Sequence, residues 1–300
     1  MSAILPAAAC ASPPDRSGFL RDATIEMTAK DIAKLSAAVE AGFRPRAVFI
    51  PALPGEDPAA RIAAIRAVAG LGIEPVPHIS ARRLGSQAEL DGFLDQVCGD
   101  AGVRRLLIVG GDPTTPHGPF ADSRAVIRAL SAQRRGLRRI GLAGHPEGHP
   151  DMPGDQPTQV LAAKIGALAD DGVESEIVTQ FSFDSDRVAD WIAHLRANGI
   201  LVPVAIGLPG PTRITTLLKF AARCGVGASA KVVAKYGFSL TRVLGSAGPE
   251  TFIDGLLRNL DRGAAPETTA NVRAHLYPFG GFAETAQWLT DKCGPQAQDR

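Results

Sequence analysis

The chain has 300 residues, 45% of them hydrophobic and 21% charged, with a net charge of +1. That length can bury a sizeable core as one large domain, and the balanced charge leaves no clustered basic face for nucleic acid. Four cysteines, Cys10, Cys98, Cys224 and Cys293, lie far apart without CxxC spacing, which speaks against a zinc knuckle and fits a reducing cytoplasm.

Residues 1–20 start with MSAILPAAACASPPDRSG, which lacks a positive n-region and is broken by Pro6, so they read as a flexible leader and not a signal peptide. From there short apolar runs alternate with amphipathic segments. Strands are predicted at Thr24–Met27, Ala47–Pro51, Pro75–Ile79, Leu106–Val109, Ile140–Ala143, Ile177–Phe181, Val202–Gly207 and Ala274–Tyr277. Helices are predicted near 30–42, 58–70, 86–98, 122–133, 157–171, 186–197, 212–223 and 283–291, the first closing on a glycine C-cap. Pro75 and Pro77 suit a strand entry or edge better than a strand middle. The basic stretch QRRGLRR (133–139) reads as a helix end running into a strand. Two more helical segments, around 229–243 and 249–261, interrupt the rhythm before the eighth strand. The longest apolar stretch, GILVPVAIGLPG, is too short to span a bilayer, so no membrane is expected as a partner.

Eight strands and eight helices in alternation predict an α/β fold, a (β/α)8 TIM barrel with extra helices inserted before strand eight. The expected organisation is a leader at 1–20, a single catalytic barrel over 21–292 and a tail at 293–300.

In such a barrel the chemistry sits at the C-terminal ends of the strands. Those ends carry Glu26 (IEMTAK), His78 (PHISAR), Gly110, Gly111 and Asp112 (VGGDP), GHPEGHP (144–150), Gln180 (TQFSFD), GLPGP and HLYPFGG. Glu26 interrupts an apolar strand, where a charge is costly unless it is paired or functional. The glycine pair before Asp112 permits close backbone approach to a ligand, or simply a tight turn capped by Asp112. In GHPEGHP, His145 and His149 flank Glu147, but Pro146 and Pro150 forbid the regular helix on which paired histidines hold zinc. A metal on this loop would need a further ligand nearby, so the loop reads as the wall of a cofactor pocket and no metal is expected.

Taken in order at successive strand ends, TIEMTAK, PHISAR, GGDP, AGHPEGHP, IVTQFSFD, GLPGP and HLYPFGG resemble the methylenetetrahydrofolate reductase family in its short, barrel-only bacterial form, over about residues 20–291. The resemblance implies noncovalent FAD at the barrel mouth, a tetrahydrofolate derivative as substrate, NADH or NADPH as hydride partner, and a homo-oligomer. It implies interconversion of 5,10-methylenetetrahydrofolate and 5-methyltetrahydrofolate, with Glu26 as general acid, Asp112 between flavin and pterin, and Gln180 touching folate and reductant. On the same basis His78, Gly110, Gly111, Asp112, His145, Glu147, His149 and Lys164 would line the cofactor, and Tyr277 would join Glu26, Asp112 and Gln180 at the folate. His145 stands where many relatives carry a tyrosine. Gly110 stands for a common arginine, MTAK for aromatics and a double proline, Ile214 for a phenylalanine that folds the nicotinamide over the flavin, and the glycines of PFGG for an arginine. These departures suggest a divergent branch, one serving the oxidising direction. The short chain implies no S-adenosylmethionine regulatory domain. Two other classes stay open on the residues: a metal-dependent barrel lyase or aldolase using His145, Glu147, His149 and Asp112, and a folate-binding barrel without flavin.

Overall fold

The computed structural model describes residues 15–131, 135–149, 151–212, 214–223, 249–263 and 271–293. Eight parallel strands close in sequence order into a barrel: β1 Thr24–Glu26, β2 Ala47–Ile50, β3 Glu74–Ser80, β4 Arg105–Val109, β5 Arg139–Gly144, β6 Glu174–Phe181, β7 Val204–Pro209 and β8 Val272–Tyr277. The helices are α1 Arg16–Arg21, α2 Ile32–Glu40, α3 Pro58–Gly70, α4 Gln87–Leu94, α5 Ser123–Ser131, α6 Gln156–Asp170, α7 Ser185–Ala197, α8 Ile214–Arg223, α9 Glu250–Gly263 and α10 Phe282–Cys293. Among the described residues no helix is long and apolar enough to cross a membrane.

Local chemistry starts these helices where the sequence places them. Asp57 accepts from the Ala59 N–H and Pro58 opens α3; Ser86 accepts from Glu89 N–H at α4; Asp184 accepts from both Asp186 and Arg187 N–H at α7. A π-helical turn, Asp95–Asp100, extends α4 over the range expected to be helical. Of the two inserted helices, the second is α9; the segment around 229–243 lies outside the described residues.

Three expectations need correction. The leader does not run to residue 20: Asp15 caps α1, whose Phe19 and Leu20 are buried, and α1 packs on β8 and α10. The apolar pair Phe19–Leu20 is the signal for this helix, since it needs a core to cover it. Second, Pro77 falls in the middle of β3, although Pro75 stands at the strand entry as expected and both prolines lie where β3 is paired on one side only. Pro75 and Pro77 pair with Val48 and Ile50 of β2, while the ladder to β4 begins only at His78. Their missing N–H groups therefore fall before that second ladder starts. Third, α10 extends to Cys293, one residue into the expected tail.

Strand residues alternate between two apolar clusters. Val48 and Ile50 belong to the large core between sheet and helices, whereas Ala47, Phe49, Val76, Leu107, Val178 and Ala205 form a separate cluster in the barrel lumen. Below that lumen cluster lies an ionic layer. Glu176 is 0% exposed, accepts from Arg105 Nε at 2.5 Å and is paired with Arg273; Arg105 also reaches Glu74 at 2.8 Å. Burial alone would raise the Glu176 pKa, but Arg105 and Arg273 outweigh it and hold it below the ordinary 4.5.

Glu176→Gln leaves the buried Arg273 guanidinium without its Glu176 counter-charge and Arg105 with Glu74 alone, and should cost about 3–5 kcal/mol of stability at neutral pH. The wild-type advantage is complete above the ordinary glutamate value and fades as pH falls through the lower folded value. Denaturant unfolding of both proteins from pH 7 downward should therefore show their stabilities converging in acid.

Candidate active site

The C-terminal ends of the strands bring most of the candidate residues to one mouth, in three groups. The first surrounds Glu26. Its carboxyl group is 18% exposed, and burial raises its pKa, an effect that His78 partly offsets. Oε1 lies 3.6 Å from Nε2 of His78 on β3 and 3.7 Å from Nε2 of His275 on β8. Burial, with smaller contributions from Arg61 and His275 opposed by Glu26, brings His78 down to about 4; burial, reinforced by Arg273, brings His275 down to about 3. Both rings are therefore neutral at physiological pH. Phe49 packs its ring edge-to-face against both imidazoles, and Tyr277 does so against His275. Tyr277 donates its hydroxyl to the Thr179 carbonyl at 2.9 Å, which fixes it across the β7 strand between β6 and β8.

The second group is the β5–α6 loop. The rings of His145 and His149 meet edge-to-face with centroids 4.8 Å apart. A turn closes through Gly148 N–H to the His145 carbonyl, and His149 Nδ1 accepts from the Asp151 N–H. Burial, then His149 and Lys164, bring His145 down to about 4. Lys164 on α6 is half-buried, and burial lowers its pKa against the pull of Asp122. Glu147 accepts from the Ser182 hydroxyl at 2.8 Å, tying this loop to the one after β6. Among the described residues, no three His, Cys, Asp or Glu side chains cluster so as to hold a metal ion.

The third group is the β4–α5 turn. Asp112 is 68% exposed and forms a two-pronged pair with Arg83, from Nε at 2.8 Å and Nη2 at 2.7 Å. The Arg82 N–H donates to the Gly110 carbonyl, which ties the β3 and β4 loops together. Gly111 adopts φ +92°, and a Cβ there would lie 2.3 Å from Ser80 Oγ. Gln180 sits half-buried on β6 with its Oε1 accepting from the Phe181 N–H at 3.2 Å.

Sequence reasoning missed His275, Thr24 and Arg83. The first two were within reach of the period-two rule: Thr24 shares the inward face with Glu26, and His275 with Tyr277. Arg83 becomes visible only once the loops are folded together.

The fold and site define a parallel (β/α)8 barrel whose mouth carries a half-buried acid between two neutral imidazoles. The family model for methylenetetrahydrofolate reductase matches residues 53–237, more than half of the chain. The chain belongs to the methylenetetrahydrofolate reductase family. It is 29% identical over 167 residues to methylenetetrahydrofolate reductase 2 of Saccharomyces cerevisiae, covering 52% of this chain and 26% of that protein. It is 31% identical over 116 residues to methylenetetrahydrofolate reductase 1 of Schizosaccharomyces pombe, covering 36% and 18% respectively. It is 26% identical over 151 residues to methylenetetrahydrofolate reductase (NADH) 1 of Zea mays, covering 45% and 25%. The matches thus span about a quarter of those relatives or less. The family span contains Asp112, Gln180 and the GHPEGHP loop; Glu26 and His275 lie outside it.

Gly111→Ala should destabilise the protein by about 1–3 kcal/mol, because it combines a left-handed backbone with a clash on Ser80. Thermal unfolding checks the loss. A crystal structure of the variant should show the Asp112–Arg83 pair displaced.

Proposed function

We propose that this protein interconverts 5,10-methylenetetrahydrofolate and 5-methyltetrahydrofolate, with FAD as cofactor and NADH or NADPH as hydride partner. The observation that carries the reading is Glu26: a carboxyl group at the end of β1, raised in pKa by burial and set between two neutral imidazoles. An acid that must hold a proton at neutral pH and release it to a substrate nitrogen needs such a setting.

The residues at the mouth suit a flavin dinucleotide. Lys164 offers a cation for phosphate, the crossed His145 and His149 rings offer flat polar edges, and Gly110 and Gly111 let a ring approach the backbone. Bound FAD would supply a hydride store between nicotinamide and the folate carbon. The chain's own residues would do the rest. Glu26 would give its proton to the folate nitrogen as the five-membered ring opens. Asp112, oriented by Arg83, keeps lone pairs for the amino-pyrimidine edge of the pterin. The Gln180 amide offers a donor and an acceptor at once, and Tyr277 would wall the folate side. The β5–α6 loop, held by Glu147–Ser182, is already shaped, so little order has to be gained on binding.

The reading also includes a cytoplasmic setting and an assembly of identical chains. Cys98 and Cys293 are both free thiols, in keeping with a reducing compartment.

An absorption spectrum of the purified protein, with and without added FAD, tests the proposal directly. Flavin bands bleached by NADH or NADPH and restored by the methylene-folate are expected; a protein that takes up no FAD overturns the reading. Glu26→Gln should retain flavin and its bleaching by nicotinamide, yet lose roughly 10²–10⁴ in the rate of the folate half-reaction. Stopped-flow measurement of the two half-reactions separates them, and an equal loss in both would make Glu26 structural.

A further inference from the structure

Two imidazole nitrogens converge on one carboxylate oxygen. His78 Nε2 and His275 Nε2 stand 3.6 Å and 3.7 Å from Glu26 Oε1, and both nitrogens are buried without a hydrogen-bond partner. A buried polar atom left unpaired costs about 1–3 kcal/mol, so two of them facing the same oxygen call for a physical reason. Closing each gap by about 0.7 Å would give ordinary hydrogen bonds, and such contacts commonly tighten only when substrate binds.

The other nitrogen of His275 is already committed. Its Nδ1 lies 2.7 Å from the Thr24 hydroxyl, in a fully buried contact between β1 and β8. Thr24 stands two residues before Glu26 on the same strand, so one strand presents both the acid and the group that fixes its neighbour. When the Thr24 hydroxyl donates to Nδ1, the single ring proton of the neutral imidazole must sit on Nε2 and point at Glu26.

We propose that Thr24 and His275 are positioning residues for Glu26: Thr24 sets the tautomer of His275, and His275 Nε2–H holds Oε1, so that the acidic proton is carried on Oε2. His78 flanks the same oxygen from β3. When Oε2–H gives its proton to the substrate nitrogen, the O–H bond breaks, its electron pair stays on the carboxylate, and Nε2–H already faces the new charge. No reorganisation is then needed at the moment of transfer. The groups around the pair keep the imidazole neutral through this step. Arg273 on β8, Glu176 on β6 and Arg105 on β4 face His275, and Arg61 of α3 faces His78 and binds its carbonyl. The catalytic part of this inference rests on the folate reading above; the tautomer and the hydrogen bond to Glu26 do not.

The test is infrared titration of the Glu26 carboxyl, isolated as the difference between wild type and Glu26→Gln, on protein without folate or nicotinamide. Thr24→Val and His275→Phe should each make Glu26 a roughly tenfold weaker acid, since the carboxylate loses a donor. Thr24→Ser and His275→Gln, which keep a hydroxyl and an N–H at the same places, should restore the wild-type titration. In the folate half-reaction, the pH profile of the impaired variants should shift upward with kcat falling more than KM changes. A Glu26 titration that is unchanged or moves downward in Thr24→Val overturns the proposal, and that near-isosteric variant keeps the test sound where His275→Phe does not fold. Absence of folate turnover in the wild type would instead count against the functional reading, and would leave the titration result standing.

Discussion

The pairing of Glu176 with Arg105 and Arg273 underlies the rest of the lumen. A barrel of eight strands has an interior that must be filled, and its lower level here is filled with charge. The arrangement holds because each charge has its counter-charge within contact distance. Above it, Phe49 lies with the Arg105 guanidinium 5.1 Å from its ring centre, and its edges meet His78 and His275. The two guanidinium groups therefore serve twice. They neutralise a buried carboxylate below, and with burial they keep the imidazole of His275 uncharged above. A neutral imidazole is compatible with the raised pKa of Glu26; an imidazolium beside it would pull that pKa down. The acid at the mouth depends on an ion layer it never touches.

Much of the architecture was legible because period and length carry it. Continuous apolar runs between amphipathic segments leave few alternatives to a parallel barrel, and α3 spans Pro58–Gly70 as its capping chemistry implies. What escaped depended on the third dimension. The helix Arg16–Arg21 is short and polar apart from Phe19 and Leu20, and only the presence of β8 and α10 beneath it explains why it forms. Pro75 and Pro77 argue against an interior strand until the stagger between β3 and its neighbours is known. Glu26 stood out as a charge in an apolar run, but nothing local says which residues meet it. His275 belongs to a strand 251 residues beyond Thr24, and no spacing rule links them.

The GHPEGHP loop shows how residue type can mislead when geometry is missing. Two histidines and a carboxylate in seven residues suggest a metal, yet the carboxylate closes on Ser182 and the rings pack on each other. The same segment braces neighbouring loops through Glu147 and Ser182, with its two rings packed edge-to-face. The family match covers this loop and the Asp112 turn, but begins after β2 and ends before β8. The two strands that hold the acid and its histidine are joined to the assignment by the folded barrel, since they complete the ring that the matched strands begin.

The seam between β1 and β8 is the place where the ring closes, and it is short: Thr24 pairs with His275 and Ile25 with Leu276. The acid and its imidazole partner thus come from the two ends of the sheet. During synthesis Glu26 emerges early and remains an ordinary exposed carboxylate until β8 has been made and docked. No partial product lacking β8 can contain the assembled group. Assembly of the group at the mouth is thereby coupled to completion of the barrel, and a chain that stalls before closure lacks it.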